Sequence, residues 1–294
     1  MKRGPQKPQA AGAPDAVLQE LRPGQSVELL QELHILTREG RLNQDSRRKL
    51  KQVYHLFQFI EALLRELPGE GEGATLADHG AGKSYLGFII YDLFYKARAG
   101  GRIYGIETRA ELVESSRALA VRLGFERMAF LNVQAADAAD APGMPERIDV
   151  VTALHACDTA TDDAIDFALR KDARAIAIVP CCQAEVAACL RSAKAQSLAR
   201  TPLAELWRHP LHTREFGSQL TNVLRCLYLE ACGYEVTVTE LVGWEHSMKN
   251  ELILARRKGA GRHSAARRMQ AILAEFGLEA LLGRRYPRAA ELLG

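Results

Sequence analysis

Residues 78–84 read Asp78-His79-Gly80-Ala81-Gly82-Lys83-Ser84, an acid and an imidazole followed by two glycines and a lysine. They lie between a short apolar run, ATLAD (74–78), and a helical pattern over 83–97. A glycine turn between a first strand and a first helix lets the backbone approach a nucleotide-like ligand. Three chemistries compete for it. A phosphate-binding P-loop shares Gly82-Lys83-Ser84, but its opening glycine falls on Ala77, and Asp78 would face the phosphates. A dinucleotide fingerprint needs glycine at 85, where Tyr85 stands. S-adenosylmethionine (SAM) has no phosphate, and its zwitterionic tail tolerates an acid such as Asp78.

The third reading asks for more acids in a set order. Glu107 ends RIYGIE (102–107), 25 residues after Gly82, where it can accept both ribose hydroxyls. Asp137 follows the third apolar run, MAFLNVQ (128–134), and suits the adenine amino group. The expected donor site is therefore Asp78, Gly80, Gly82, Lys83, Glu107 and Asp137, with His155 close to the methyl.

Two further strand ends carry reactive side chains. The fourth strand (147–153) runs into Leu154-His155-Ala156-Cys157-Asp158, and the fifth (174–180) into Cys181-Cys182-Gln183. Carboxyl ends of parallel strands face the ligand crevice. His155, Asp158 and Cys181 are thus the candidate catalytic residues. His155 or Asp158 would act as a base, and Cys181 as a nucleophile or a plain rim residue. His155, Cys157 and Cys181 lack a fourth partner, and adjacent cysteines bind one ion poorly, so no metal site is expected. Thr161 or Asp162 is expected to cap the helix over 160–170.

The elements that must hold these residues follow from periodicity. Helices are expected over 26–38 and from Asp45, where Leu50, Val53, Phe57, Ile60, Leu64 and Leu67 form one apolar face. From residue 74 strands and helices alternate, with helices over 110–123, 160–170, 183–197 and 218–232. This is an α/β, Rossmann-like parallel sheet with helices on both faces. Strands over 236–242 and 251–257 have no helix between them, so the last strand should be antiparallel. Loops around Trp207, His209 and His212, and around Trp244, His246 and Asn250, should border the crevice, where an aromatic could stack on a base. The expected organisation is a disordered basic arm (1–14), an N-terminal helical extension (15–68), a methyltransferase domain (69–257) and a basic helical tail (258–294).

The chain has 294 residues, 47% of them hydrophobic, enough for a substantial core. No apolar run reaches the ~18 residues of a membrane span, and no signal-peptide pattern opens the chain, so the expected location is cytoplasmic and not membrane-bound. The net charge of +3 is segregated. Residues 1–68 carry 11 Lys/Arg against 8 Asp/Glu, residues 256–294 carry 9 against 3, and the middle carries 19 against 25. Basic flanks suggest an anionic partner such as RNA. A protein or small-molecule acceptor, and a non-catalytic SAM-binding module, are the alternatives.

Three blocks, D-H-G-A-G-K-S (78–84), A-L-H-A-C-D-T-A-T-D (153–162) and V-P-C-C-Q (179–183), resemble the methyltransferase-like domain of the glutathione S-transferase C-terminal domain-containing protein. They are more distantly similar to a tRNA 2′-O-methyltransferase family. The resemblance spans about residues 72–257. It implies a seven-stranded class I methyltransferase fold with an antiparallel seventh strand, SAM as donor and RNA as a substrate class. The family has glycine after the L-H-x-C cysteine, where this chain has Asp158.

Overall fold

The computed structural model describes residues 19–154, 158–180, 183–192, 202–241 and 251–294. The chain enters through α1 (Val27–Glu32), whose first turn is capped by Ser26 accepting the Leu29 N–H at 3.1 Å. Next comes α2 (Gln44–Arg65). Its cap is Asn43, which accepts the Ser46 N–H at 2.8 Å, and not the expected Asp45. An Asn side chain immediately before the first turn reaches that N–H, whereas Asp45 already lies inside the helix. The apolar face is buried as its spacing requires, through Leu50, Phe57, Ile60 and Leu64.

The sheet region follows in order: β1 (Thr75–His79), α3 (Tyr85–Ile90), β2 (Arg102–Glu107), α4 (Ala110–Leu123), β3 (Met128–Asn132), β4 (Val150–Ala153), α5 (Thr159–Arg170) and β5 (Ala175–Ile178). Then come α6 (Glu185–Arg191), α7 (Pro210–Ala231), β6 (Tyr234–Glu240) and β7 (Glu251–Arg257). Three helices end the chain: α8 (His263–Glu275), α9 (Ala280–Arg285) and α10 (Pro287–Leu293). Strand order is β3-β2-β1-β4-β5-β7-β6. β1 to β5 pair in parallel, and β7 is antiparallel to both β5 and β6. This is a seven-stranded Rossmann-like sheet with the antiparallel strand that the missing helix before residue 251 predicts.

Side chains alternate across each strand and so feed two cores. Leu76, Ile103, Val150 and Ala177 face the layer holding α1 to α4. Ala77, Tyr104, Val151 and Ile176 face the layer of α5 to α10. Ala265, Met269, Leu281 and Tyr286 of the last helices belong to that second core. At Gly217 of α7 a Cβ would stand 2.8 Å from Ala187, so glycine lets α7 lie directly on α6. The N-terminal helices are tied down by a buried acid. Asp92 accepts the Ser26 N–H at 2.8 Å and the Lys96 ammonium at 3.0 Å.

Several boundaries differ from the periodicity. The helix expected from Lys83 begins at Tyr85, because Ser84 takes a left-handed φ of 54°, and it ends in a π-helical turn, Tyr91–Tyr95. α7 starts at Pro210, well before Ser218, since proline fits the first helical position. The helical stretch expected over 264–294 is broken after Phe276, where Gly277 takes φ 64°, and again before Pro287.

Candidate functional site

The parallel strands all end at one edge, and the turn between β1 and α3 lies there. Gly80 and Gly82 have φ of 62° and 56°, backbone that L side chains rarely adopt. The turn is fastened to the end of β2. Ala81 N–H donates to the Ile106 carbonyl at 3.0 Å, and Gly82 N–H to Glu107 Oε2 at 2.8 Å.

Two cavities open on either side of this turn. One, of about 330 Å³, is walled by Asp78, Lys83, Tyr85 and Leu154, with Val53 and Leu56 contributed by α2. The other, of about 420 Å³, is walled by Glu107, Thr108, Gln134, Ala135 and Ala136, with Asp163 from α5. Gly80 and Arg109 line both. The pair suits a ligand with two unlike halves joined over the turn.

The two acids differ in charge state. Asp78 is buried, and its Oδ1 accepts from the Thr152 hydroxyl at 2.7 Å. Burial pushes its carboxyl up to about 7, against the pull of the Thr152 bond. Burial also opposes ionisation of Glu107, but hydrogen bonds from Arg109 and the Gly82 N–H prevail and bring its carboxyl down to about 2. Between them His79 is buried edge-on to Phe167, ring centroids 4.3 Å apart. Among the described residues neither of its nitrogens has a hydrogen-bond partner, and burial brings it down to about 3, so it is neutral at pH 7.

The other expected residues divide. Lys83 lines the first cavity. Asp137 sits exposed on a 3₁₀ turn, Ala135–Asp140, and it is Gln134, Ala135 and Ala136 that form the cavity wall. Asp158 has φ 50° and ψ −121°, a conformation that favours glycine. Its Oδ1 accepts the N–H of Ala184 at 2.9 Å and of Glu185 at 3.3 Å, which ties the loop after β4 to the start of α6. His155, Cys157, Cys181, Cys182, Trp244, His246 and Asn250 lie outside the described residues. Exposed His209 and His212 meet with ring centroids 5.3 Å apart at the start of α7, apart from both cavities. Cys226 and Cys232 are pushed up to about 12 and about 11 by burial, so neither is a thiolate nucleophile. Among the described residues no cluster of His, Cys, Asp and Glu could hold a metal.

Sequence reasoning missed a buried clamp. Arg225 of α7 has no exposed side-chain surface. Its Nε and Nη2 donate to the Asp162 carboxylate at 2.8 and 2.7 Å, and Nη2 donates to the Asp158 carbonyl at 2.8 Å. Asp162 therefore answers a buried guanidinium and does not cap α5, whose cap residue is Asp158 without a side-chain cap bond. Beside the clamp, Gln183 accepts from Ser218 at 2.5 Å and donates to Asn222 at 3.0 Å. Val53 was read only as a packing residue, and Leu56, Arg109 and Thr152 were not singled out. An arginine two places after the strand-end acid could have marked Arg109.

An ionised carboxylate beside a second acid repels phosphates. It suits a cationic ligand with a vicinal diol, so the residues present fit SAM. Residues 48–189 match a family model described as a methyltransferase domain, a span from α2 to α6 that holds both cavities' walls. No curated protein matches the chain. Among solved structures, it is similar to precorrin-6y C5,15-methyltransferase from Geobacter metallireducens GS-15, with 15% identity and a TM-score of 0.39 over 69% of this chain and 88% of that one. It is similar to an rRNA methylase from Streptococcus thermophilus, with 10% identity and a TM-score of 0.42 over 70% and 95%. The fibrillarin pre-rRNA processing protein of Methanococcus jannaschii gives 14% identity and a TM-score of 0.38 over 64% and 68%. At such identities these likenesses carry nothing about the acceptor.

Proposed function

We propose that this SAM-dependent methyltransferase methylates RNA. The observation that supports it is where the basic flanks end up. α2 sends Val53 and Leu56 into the wall of the first cavity, and its first turns come just before them in the same helix. Exposed Arg47, Arg48, Lys49 and Lys51 stand on those turns, with Arg47 paired to Glu20 at 2.8 Å and Lys49 to Asp45 at 3.2 Å. From the other end of the chain, Arg284 and Arg285 reach Glu185 at the start of α6, at 2.7 and 2.8 Å. Cations of the one flank thus stand in the helix that walls the first cavity, and those of the other at the start of α6, which suits a polyanionic acceptor. The resemblance of the 153–162 and 179–183 blocks to a tRNA 2′-O-methyltransferase family points the same way.

SAM supplies an activated methyl group on a sulfonium sulfur. In this reading Asp78 receives the donor's ammonium and Glu107 its ribose hydroxyls. Gly80 and Gly82 admit the backbone close to it, and Ala135 and Ala136 wall the adenine, with Asp137 at the rim and Lys83 beside the first cavity. Transfer is an in-line displacement, so positioning is the main contribution of the protein. Asp158 spends its carboxylate on the start of α6, which makes it a positioning residue held by Arg225. That leaves His155 as the base for the acceptor and Cys181 as a neighbour of the transfer site. The proposed units are an arm (1–14), helical extension (15–68), methyltransferase domain (69–257) and basic helical tail (258–294).

The test is incubation with methyl-labelled SAM and either total RNA or total protein. Label should enter RNA, vanish on ribonuclease treatment, and be lost in Glu107→Ala. Arg284→Glu with Arg285→Glu should weaken RNA binding and flatten its salt dependence, by about 0.7 in the log–log slope per lost phosphate contact. Label entering protein alone, with RNA blank, overturns the RNA reading.

A further inference from the structure

Glu107 has more donors than a carboxylate with a vacancy for ligand should have. Oε2 accepts the Gly82 N–H at 2.8 Å and Arg109 Nη2 at 3.3 Å. Oε1 accepts the Arg109 N–H at 3.0 Å, Arg109 Nε at 3.0 Å and the Thr108 hydroxyl at 3.3 Å. A carboxylate offers about four lone-pair directions, so none is left for a ribose. The two backbone donors are fixed, one by the glycine turn and one by the chain entering α4. The guanidinium is the donor that can leave. Its side chain is 59% exposed, against 7% for Glu107, and it stands where the two cavities meet.

We infer that Arg109 is an exchange latch on the ribose-binding acid. Its Nε and Nη2 hold one oxygen each of Glu107. On binding, the vicinal diol of the donor takes the places of Nε on Oε1 and Nη2 on Oε2, one hydroxyl for each. The count supports this. With the guanidinium gone, Oε2 keeps Gly82 and has one position free, while Oε1 keeps the Arg109 N–H and opens its second position once the rotatable Thr108 hydroxyl, at 3.3 Å, turns away. The latch makes diol recognition a replacement of two hydrogen bonds by two others. A ligand lacking the diol leaves the latch in place. Arg109 therefore sets selectivity for a ribonucleoside donor. This inference rests on the reading of Glu107 as the ribose acid.

The experiment is calorimetric titration of the full chain with S-adenosylhomocysteine and its 2′,3′-dideoxy form, for wild type, Arg109→Ala and Glu107→Ala. An exposed ion pair contributes at most about a fivefold factor, so Arg109→Ala should bind S-adenosylhomocysteine up to about fivefold tighter. Affinity for the dideoxy form should not change. Wild-type binding should also tighten as salt rises from about 0.05 to about 0.5 M, which weakens the latch, while Arg109→Ala shows no such trend. Weaker binding in Arg109→Ala, or an equal gain for the dideoxy form, overturns the latch but leaves the donor site standing. Absence of binding by folded wild type overturns the donor reading and the latch with it.

Discussion

Donor affinity should depend on pH through Asp78. Its carboxyl lies at about 7, because burial outweighs the Thr152 hydrogen bond. A donor ammonium needs the ionised form. As pH falls through 7 the acid takes up a proton, and the apparent dissociation constant rises by the factor 1 + 10^(7−pH). That factor is about elevenfold at pH 6, or about 1.4 kcal/mol, and about a hundredfold at pH 5. Asp163, on the wall of the second cavity, is also pushed up by burial, so the Asp78→Asn control isolates the Asp78 contribution. Glu107 lies at about 2, and its hydrogen bond raises the Arg109 guanidinium further, so neither titrates in this range. The donor's own α-amino group, ordinarily near about 7.7–8, stays protonated below pH 7.5. The assay is calorimetric titration with S-adenosylhomocysteine from about pH 5 to about pH 7.5, with Asp78→Asn as control. Wild type should lose about tenfold in affinity per pH unit below about 6.5, and the variant should be weak and flat. A flat wild-type profile, or the same slope in Asp78→Asn, would refute the assignment of Asp78 to the ammonium.

Stability should also respond to pH, with two opposing contributions. Asp78 binds its proton more tightly folded than unfolded, so it lowers stability as pH rises from about 4 to about 7. His79 binds its proton less tightly folded, so it raises stability as pH rises from about 3 to about 6.5. The two nearly cancel, and thermal melts of Asp78→Asn should show a stability rise across pH 4–6.5 steeper than wild type's. Arg225→Met should cost about 3–5 kcal/mol in urea melts by leaving Asp162 buried without its cation, and a paired Arg225→Met, Asp162→Leu variant should recover much of that. Val53→Trp should fill part of the first cavity and weaken S-adenosylhomocysteine binding at least tenfold while the melting temperature holds. Equal affinity would mean that α2 does not wall the donor site.

The elements that bring the glycine turn, Asp78 and Glu107 to one edge were legible because they rest on local chemistry. Alternating apolar positions fixed the strands, a glycine pair fixed the turn, and Glu107 at a strand end faces the crevice in any parallel sheet. The apolar stripe from Leu50 to Leu64 gave α2 and its buried face. What that face packs against was not legible, because α2 meets α3 through contacts more than twenty residues apart in sequence. For the same reason the entry of Val53 and Leu56 into the donor cavity could not be read from spacing. The charge states of Asp78 and His79 follow from how completely the folded chain excludes water from them, which neither residue type nor spacing records. Arg225 looked like one more surface arginine on an amphipathic helix. Only packing between α5 and α7 carries it to Asp162 and the Asp158 carbonyl, more than sixty positions away. The sequence by itself determined the kinds of groups and the order of strands that carry them. Tertiary structure alone decided which of those groups meet and which stay charged.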